Sequence, residues 1–243
     1  MFFLFVLKLM IVLGLMSGTS LDGLDLALVE FSNGGKTFNL ISAETIKYSP
    51  KWYDTLSNVR KLSGNKLTEL NVNYGKYLGA QINLFLKGKQ QPKLISSHGH
   101  TVFHQPHLGY TLQIGSLNEI ALLTNIKTVG DFRTLDISKG GQGAPLVPIG
   151  DEFLFPDYTY CVNLGGISNY SHKLNGKRIA QDISPCNIVS NFLAKDIGLD
   201  FDDNGDLGRI GKVQIQLLNE MSNWSYYKKG KSLGIEDLEK DFL

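Results

Sequence analysis

The stretch Gly14–Asp25, "GLMSGTSLDGLD", decides how this chain is read, and it follows directly on the apolar run "MFFLFVLKLMIVL". Residues 9–16 ("LMIVLGLM") read as a buried strand, and residues 24–31 ("LDLALVEF") alternate in period two as a second one. A strand where a helix would be needed excludes the dinucleotide fingerprint. The missing Gly-x4-Gly-Lys-Ser/Thr spacing excludes a Walker A loop. What remains is a strand–turn–strand whose Gly18, Thr19, Ser20 and Gly23 leave backbone N–H groups and hydroxyls to face an anion. Asp22 and Asp25 would repel that anion unless a cation such as Mg²⁺ stood between, so a phosphate here implies a metal. An ordinary hairpin with solvated acids is the competing reading.

Composition narrows the function classes. At 243 residues with 42% hydrophobic content, the chain supports one large domain or two modest ones. A net charge of +1 gives no electrostatic case for nucleic acid or an anionic membrane. Two cysteines, Cys161 and Cys186, form no disulfide framework, and a reducing cytoplasm is the simpler context. Met1–Met16 carries one charge, Lys8, and imitates a signal-peptide core. It lacks a basic start and is too short to span a membrane, so a strand with a short overrun is preferred to export.

Along the chain, "NGGK" (33–36) turns into a third strand, "TFNLISAETIKY". Within 51–87, Leu67, Leu70, Tyr74, Tyr77, Leu78, Ile82 and Phe85 recur at helical steps, which predicts one long amphipathic helix. Strands are expected at 93–99, 110–115 and 127–132, with a short helix whose Ser116 and Glu119 are spaced as a capping box. The glycine-rich "SKGGQGAPLVP" (138–148) reads as a loop, and strand-like segments follow from 158 to 184. From Asn187 to about Asn223 the pattern is helical, with a break near "GLDFDDNG". Strands then helices, twice over, predict two α/β lobes, 1–133 and 134–243.

Four further constellations matter. "VNLGGISN" (162–169) sets Gly165 and Gly166 between two strands, a second candidate phosphate turn. "SHGHTVFHQPH" (97–107) holds four of the five histidines; in an extended strand His98 and His100 share a face. With no carboxylate or cysteine nearby, they suit hydrogen bonding to sugar hydroxyls better than a metal. In "GDFRTLD" (130–136), Asp131 and Arg133 would share one strand face, beside a glycine-rich loop offering Gln142. A structural ion pair is the alternative. In "QDISPCN" (181–187), Asp182 at a strand end and Asn187 at a helix start suit either a general base or helix capping. "DFDDNG" imitates an EF-hand loop, but its twelfth position is Gly211 where a glutamate is needed, so it reads as a connecting turn.

Taken in order, "GLMSGTSLDGLD", "SHGHTVFHQP", "TLQIG", "DFRTLD", "GGQGAPLVP", "NLGGISN", "DISPCN" and "KSLGIE" resemble the anhydro-N-acetylmuramic acid kinase family of the actin-like sugar kinases, from about residue 9 onward. The resemblance implies an α/β, actin-like (ribonuclease H-like) two-lobed ATPase fold with nucleotide between the lobes. It implies ATP and Mg²⁺, with 1,6-anhydro-N-acetylmuramic acid as substrate. In this reaction water opens the sugar and O6 takes the γ-phosphate. Asp182 resembles the family's base. Gly18, Thr19, Ser20, Leu21, Asp22, Gly23, Leu24 and Asp25 resemble its ATP-phosphate loop, with Gly165 and Gly166 opposite. His98, Gly99, Thr101, Asp131, Arg133 and Gln142 resemble its sugar-side wall, and a homodimer is the expected assembly.

The chain departs from the family's pattern in three ways. His100 stands where glutamine is common, and Ser184-Pro185-Cys186-Asn187 where Gly-Pro-Gly-Asn is common. Members also continue past this chain's length with an adenosine motif. The expectation is therefore a second lobe that is incomplete, with weak or no activity. A non-catalytic actin-like fragment binding sugar or a protein partner is the alternative.

Overall fold

Alternation along β1 (Met10–Ser17) sends Ile11, Leu13 and Leu15 to one face of a sheet, where all three are buried. The computed structural model describes residues 9–18, 21–143 and 146–223. The apolar start 1–8, Thr19, Ser20 and "KSLGIE" lie outside the described residues. Two compact units are present, dividing after Leu146.

In the first unit, β1 pairs antiparallel with β2 (Leu24–Ser32), which pairs antiparallel with β3 (Thr37–Ile46). A helical crossover then brings β4 (Leu94–Gln105) parallel to β1. β5 (Tyr110–Ile114) and β6 (Thr128–Val129) pair with successive stretches of β4, the first antiparallel and the second parallel. The order β3-β2-β1-β4-β5, an antiparallel meander followed by a helix and a parallel strand, is that of the expected ribonuclease H-like lobe.

The predicted single helix over 51–87 is two. Ser49 accepts a hydrogen bond from the Trp52 N–H at 3.3 Å and Pro50 starts α1 (Pro50–Ser57). The Asn58 amide turns back onto the Asp54 carbonyl at 3.0 Å, closing α1 before α2 (Gly64–Phe85) begins. One face of α2, Leu70, Tyr74, Leu78, Ile82 and Phe85, covers Leu13, Leu15, Leu26, Leu28 and Ile95 of the sheet. Each such side chain contributes about 1.5–3 kcal/mol by leaving water. This is the core on which the first unit stands.

α3 (Leu117–Thr124) packs on α2. Ser116 accepts from the Glu119 N–H at 3.4 Å, as the capping box requires. Its own N–H goes to the Asn71 carbonyl at 3.0 Å, so the cap is shared between helices. The predicted strand at 127–132 is only Thr128–Val129. Beyond it, Asp131 adopts φ 56° and Arg133 leads into α4 (Thr134–Ser138). Ile137 of α4 is buried, which keeps 134–143 with the first unit and carries it past residue 133 to Leu146.

The second unit begins with α5 (Leu146–Leu154), which starts inside the predicted glycine-rich loop. β7 (Tyr160–Leu164), β8 (Ile167–Leu174) and β9 (Lys177–Pro185) form an antiparallel meander, with left-handed Asn175 and Gly176 turning β8 into β9. Buried Asp151 accepts from the Ser171 hydroxyl at 2.5 Å, and Arg178 meets Glu152 at 3.1 Å, which pins α5 to the sheet. α6 (Asn187–Asp196), α7 (Asp206–Ile210) and α8 (Ile215–Ser222) follow. The strand–strand–strand–helix order of the first unit thus recurs. Asp202 accepts from the Leu207 and Gly208 N–H groups, both at 2.9 Å, so the EF-hand imitation is a helix-capping turn. No helix among the described residues is long and apolar enough to cross a membrane.

Gly75 is where α2 and α3 meet most closely. A Cβ there would stand 2.7 Å from the Ser116 carbonyl oxygen and 2.8 Å from its nitrogen, both backbone atoms. Gly75→Ala gains about 1 kcal/mol of helix propensity but loses about 1–3 kcal/mol to overpacking. The expected net is a lower urea midpoint; a raised midpoint would show that the contact yields freely.

Candidate functional site

β1 ends at Ser17, which is 3% exposed and tied in a line of hydrogen bonds. Its hydroxyl lies 3.0 Å from His100 Nδ1 and 2.7 Å from the Tyr48 hydroxyl, which lies 2.7 Å from that of Tyr74. β1, β4, α2 and the loop after β3 are thereby joined at the root of the glycine turn. Within the turn, the Leu21 N–H donates to the Gly18 carbonyl at 3.3 Å, and Leu21 itself takes φ 59°. A bulky residue in the left-handed region is strained, a condition that persists where surrounding structure enforces it. At Gly23 an added Cβ would meet the Ile46 carbonyl oxygen at 2.7 Å, so the returning chain passes against β3 with no room for a side chain. Leu24 is buried in the core, and it fixes the turn without offering a ligand group.

Asp22 and Asp25 are both exposed, and Asp25 accepts from the Thr45 hydroxyl at 2.6 Å. No group of three His, Cys, Asp or Glu able to hold a metal exists among the described residues. The pair still suits Mg²⁺, which is commonly held by one or two carboxylates with the remaining positions filled by phosphate oxygens and water.

The histidines do not share a strand face. Leu15 pairs with Ser97 and Ser17 with His100, so β4 carries one more residue than β1 across this step. Gly99, at φ 72°, makes the bend. His100 turns to Ser17. His98 turns to Arg133, whose Nε–H donates to His98 Nε2 at 2.9 Å, while His98 Nδ1 lies 3.0 Å from the Gly99 carbonyl. That assignment makes His98 a neutral imidazole protonated on Nδ1. Both its nitrogens are spent inside the protein, so it positions its neighbours.

Asp131 and Arg133 also part. Asp131 accepts from the Thr134 N–H at 3.3 Å, while Arg133 reaches His98 and the Gly143 carbonyl, the latter at 2.5 Å. Gln142 is exposed beside it. His98, Gly99 and Asp131 nevertheless line one recess of about 380 Å³. His98 and Asp25 meet again in a hollow of about 490 Å³ with Gly14, Met16, Ala27 and Ser96. Thr101 takes a 3.4 Å contact from the Gln113 amide and lines neither space.

In the second unit, the Gly165 and Gly166 carbonyls accept from the N–H groups of Asn187, at 3.0 Å, and Cys186, at 2.9 Å. The turn is thereby held by the start of α6. Asp182 lies within β9, opposite Asn169, at a register shift that leaves Ile183 as the additional residue. Such bulges re-aim side chains. Asn187 is the first residue of α6 and donates to the Leu164 carbonyl at 3.1 Å, so it caps nothing.

Tyr48, Tyr74, Asn71 and Ser97 were not legible as site residues. They lie far apart in sequence, and only tertiary packing brings them to the turn and the recess.

Burial governs the electrostatics. It is the main cause holding His100 down to about 4, with His98 adding to the effect. His98 and His104 are lowered by burial and then by the Arg133 charge. Burial raises the Tyr48 and Tyr74 hydroxyls. The network is neutral at pH 7. For His100 the unfolded chain takes up its proton near 6.5 and the folded one near 4. Its contribution to stability is thus present above pH 6.5 and is lost as pH falls toward 4. Between pH 8 and pH 5 this costs about 2 kcal/mol. His100→Gln should flatten the pH dependence of the urea midpoint by that amount, and identical slopes for the two proteins would refute the assignment.

The family description "Anhydro-N-acetylmuramic acid kinase" matches residues 10–243. The anhydro-N-acetylmuramic acid kinase of Microcystis aeruginosa is 37% identical over 261 residues, covering 96% of this chain and 68% of that protein. That of Pasteurella multocida is 38% identical, covering 88% and 60%. That of Bacillus cereus is 34% identical, covering 96% and 67%. The chain therefore spans 60% to 68% of the length of these relatives. Among solved structures, a Ppx/GppA family member from Aquifex aeolicus has a TM-score of 0.37 at 10% identity, covering 77% of this chain and 54% of that one. The match over residues 10–243 takes in both glycine turns, the histidine segment and Asp182, and with it the chain belongs to the anhydro-N-acetylmuramic acid kinase family, a family of kinases.

Proposed function

We propose that this chain acts in the cytoplasm as an ATP-dependent kinase that opens 1,6-anhydro-N-acetylmuramic acid with water and phosphorylates O6, giving N-acetylmuramic acid 6-phosphate. The observation that carries this reading is the family match over residues 10–243, which encloses every residue given a role below.

Asp182 takes a proton from water as its oxygen bonds to the anomeric carbon. The bond from that carbon to O6 breaks, and O6 accepts the γ-phosphoryl group of ATP, leaving ADP. A carboxylate serves here because its proton transfer accompanies a weak nucleophile's attack. Gly18–Asp25 presents its backbone to the phosphates, and Gly165–Gly166 supplies a second such turn. Mg²⁺, held by Asp22 and Asp25, would offset the charge that gathers on the transferring group. His98, Gly99, Thr101, Asp131, Arg133 and Gln142 form the sugar side, with His98 holding Arg133 in place.

Asp182→Asn tests the assignment. The expected result is a fall in kcat of about 10²- to 10⁴-fold, with sugar affinity measured by calorimetry nearly unchanged. Full turnover by the variant would remove Asp182 from the chemistry. A wild-type chain that binds the sugar yet never phosphorylates it would establish the non-catalytic reading in its place.

A further inference from the structure

The two units differ in how much apolar surface they hide. The apolar core lies in the first, and among the described residues of the second Ala194 is the one buried hydrophobic side chain. One face of the second sheet carries Cys161, Ser171 and Arg178, where α5 is pinned. Alternation puts Tyr160, Val162 and Leu164 of β7, Tyr170 and His172 of β8 and Ile179 of β9 on the other. Tyr160, Val162 and Leu164 are 62%, 57% and 70% exposed. Apolar side chains exposed singly are ordinary, but a contiguous apolar face marks an interaction surface.

The first unit shows what belongs on that face. Counted back from its glycine turn, the cross-strand pairs Leu15–Leu26 and Leu13–Leu28 lie under α2 and are buried. Val162–Tyr170 and Tyr160–His172 occupy the same two places before the second glycine turn. Helix α2 thus has no counterpart there: α7 and α8 bury no side chain of their own, and β7 stays open to water. The edge repeats the message. In the first unit β4 lies parallel to β1 on the side away from β2. Among the described residues β7, the counterpart of β1, pairs with β8 alone. Edge strands are normally blunted by charge or proline. β9, at the opposite edge, carries Lys177, Arg178, Asp182 and Pro185, whereas β7, "YCVNL", carries neither charge nor proline. β7 has the composition of a strand paired on both sides.

We propose that this face and this edge are the docking site for a helix with one apolar side and a strand that pairs parallel with β7, both supplied by the part of the family that lies beyond the match. The lengths supply the occupant: the chain spans 60% to 68% of its relatives, so about a third of each lies outside the match. Residues 64–105 of the first unit, from α2 to β4, show the helix-then-strand form that such a segment takes. Tyr160, Tyr170 and His172 stack at 5.6 and 5.5 Å between successive centroids, which gives the helix a rigid aromatic seat. Docking here does not depend on the reaction proposed above.

The test compares this chain with a chimera in which the Microcystis aeruginosa sequence beyond the match follows Leu243. By hydrogen exchange, the amides of residues 160–164 should open readily in the chain alone and exchange at least about 100-fold more slowly in the chimera. Val162→Lys places a charge on the face. It should lower the Tm of the chimera by at least about 5 °C more than that of the chain alone, because only in the chimera is the charge buried. Equal losses of Tm, equal exchange, or a chimera that does not fold would overturn the proposal. Slow exchange in the chain alone would show the face already covered and would overturn it too. A dimer of the chain alone that Val162→Lys dissociates would put a second copy on the face instead, with the same consequence.

Discussion

One extra residue in β4 sets the geometry of the first unit. Opposite β1 the pairing advances from Leu15–Ser97 to Ser17–His100, so two steps on one strand face three on the other. A regular parallel ladder would have put His98 and His100 on the same side. The bend at Gly99 separates them, one toward Arg133 and the other toward Ser17. From that separation come both halves of the site, a tether for the glycine turn and a wall for the recess. The bend also brings β4 alongside β5, which carries Gln113 to the recess.

Burial then decides how these groups are charged. An imidazole removed from water can keep its proton only against a desolvation cost, and none of the three titrating rings has a carboxylate to offset it. They are neutral, and neutrality lets each serve as both donor and acceptor. His98 uses this in full, accepting from Arg133 while donating to Gly99. A glutamine amide has the same dual capacity. His100 therefore bonds to Ser17 as an amide could, while adding a titration that an amide lacks.

The sequence disclosed what is local and hid what is not. Strands β1 and β2 showed in their alternation, and α2 in its four-residue steps, because each pattern is the face of one element against one core. The break between α1 and α2 is hidden in the sequence because hydrophobic steps continue across it, and the Asn58 amide ends the helix without disturbing them. Strand alternation predicts a shared face for Asp131 and Arg133, whereas a left-handed Asp131 turns the chain there. The glycine turns and Asp182 were readable as motifs. Tyr48, Tyr74, Asn71 and Ser97 were not, since each is ordinary in its own segment and gains its role from partners tens of residues away.

The two glycine turns look alike in sequence and are stabilised differently. The first is strained at Leu21, closed by the Leu21 N–H on the Gly18 carbonyl, and held from below through Ser17. The second is held by its carbonyls, which accept the N–H groups at the start of α6. That difference bears on Cys186. Its N–H makes the bond to the Gly166 carbonyl at 2.9 Å. The anchoring is done by backbone that a Cβ leaves intact. The Cys186 side chain is thus free to shape the surface beside the turn without taking part in holding it.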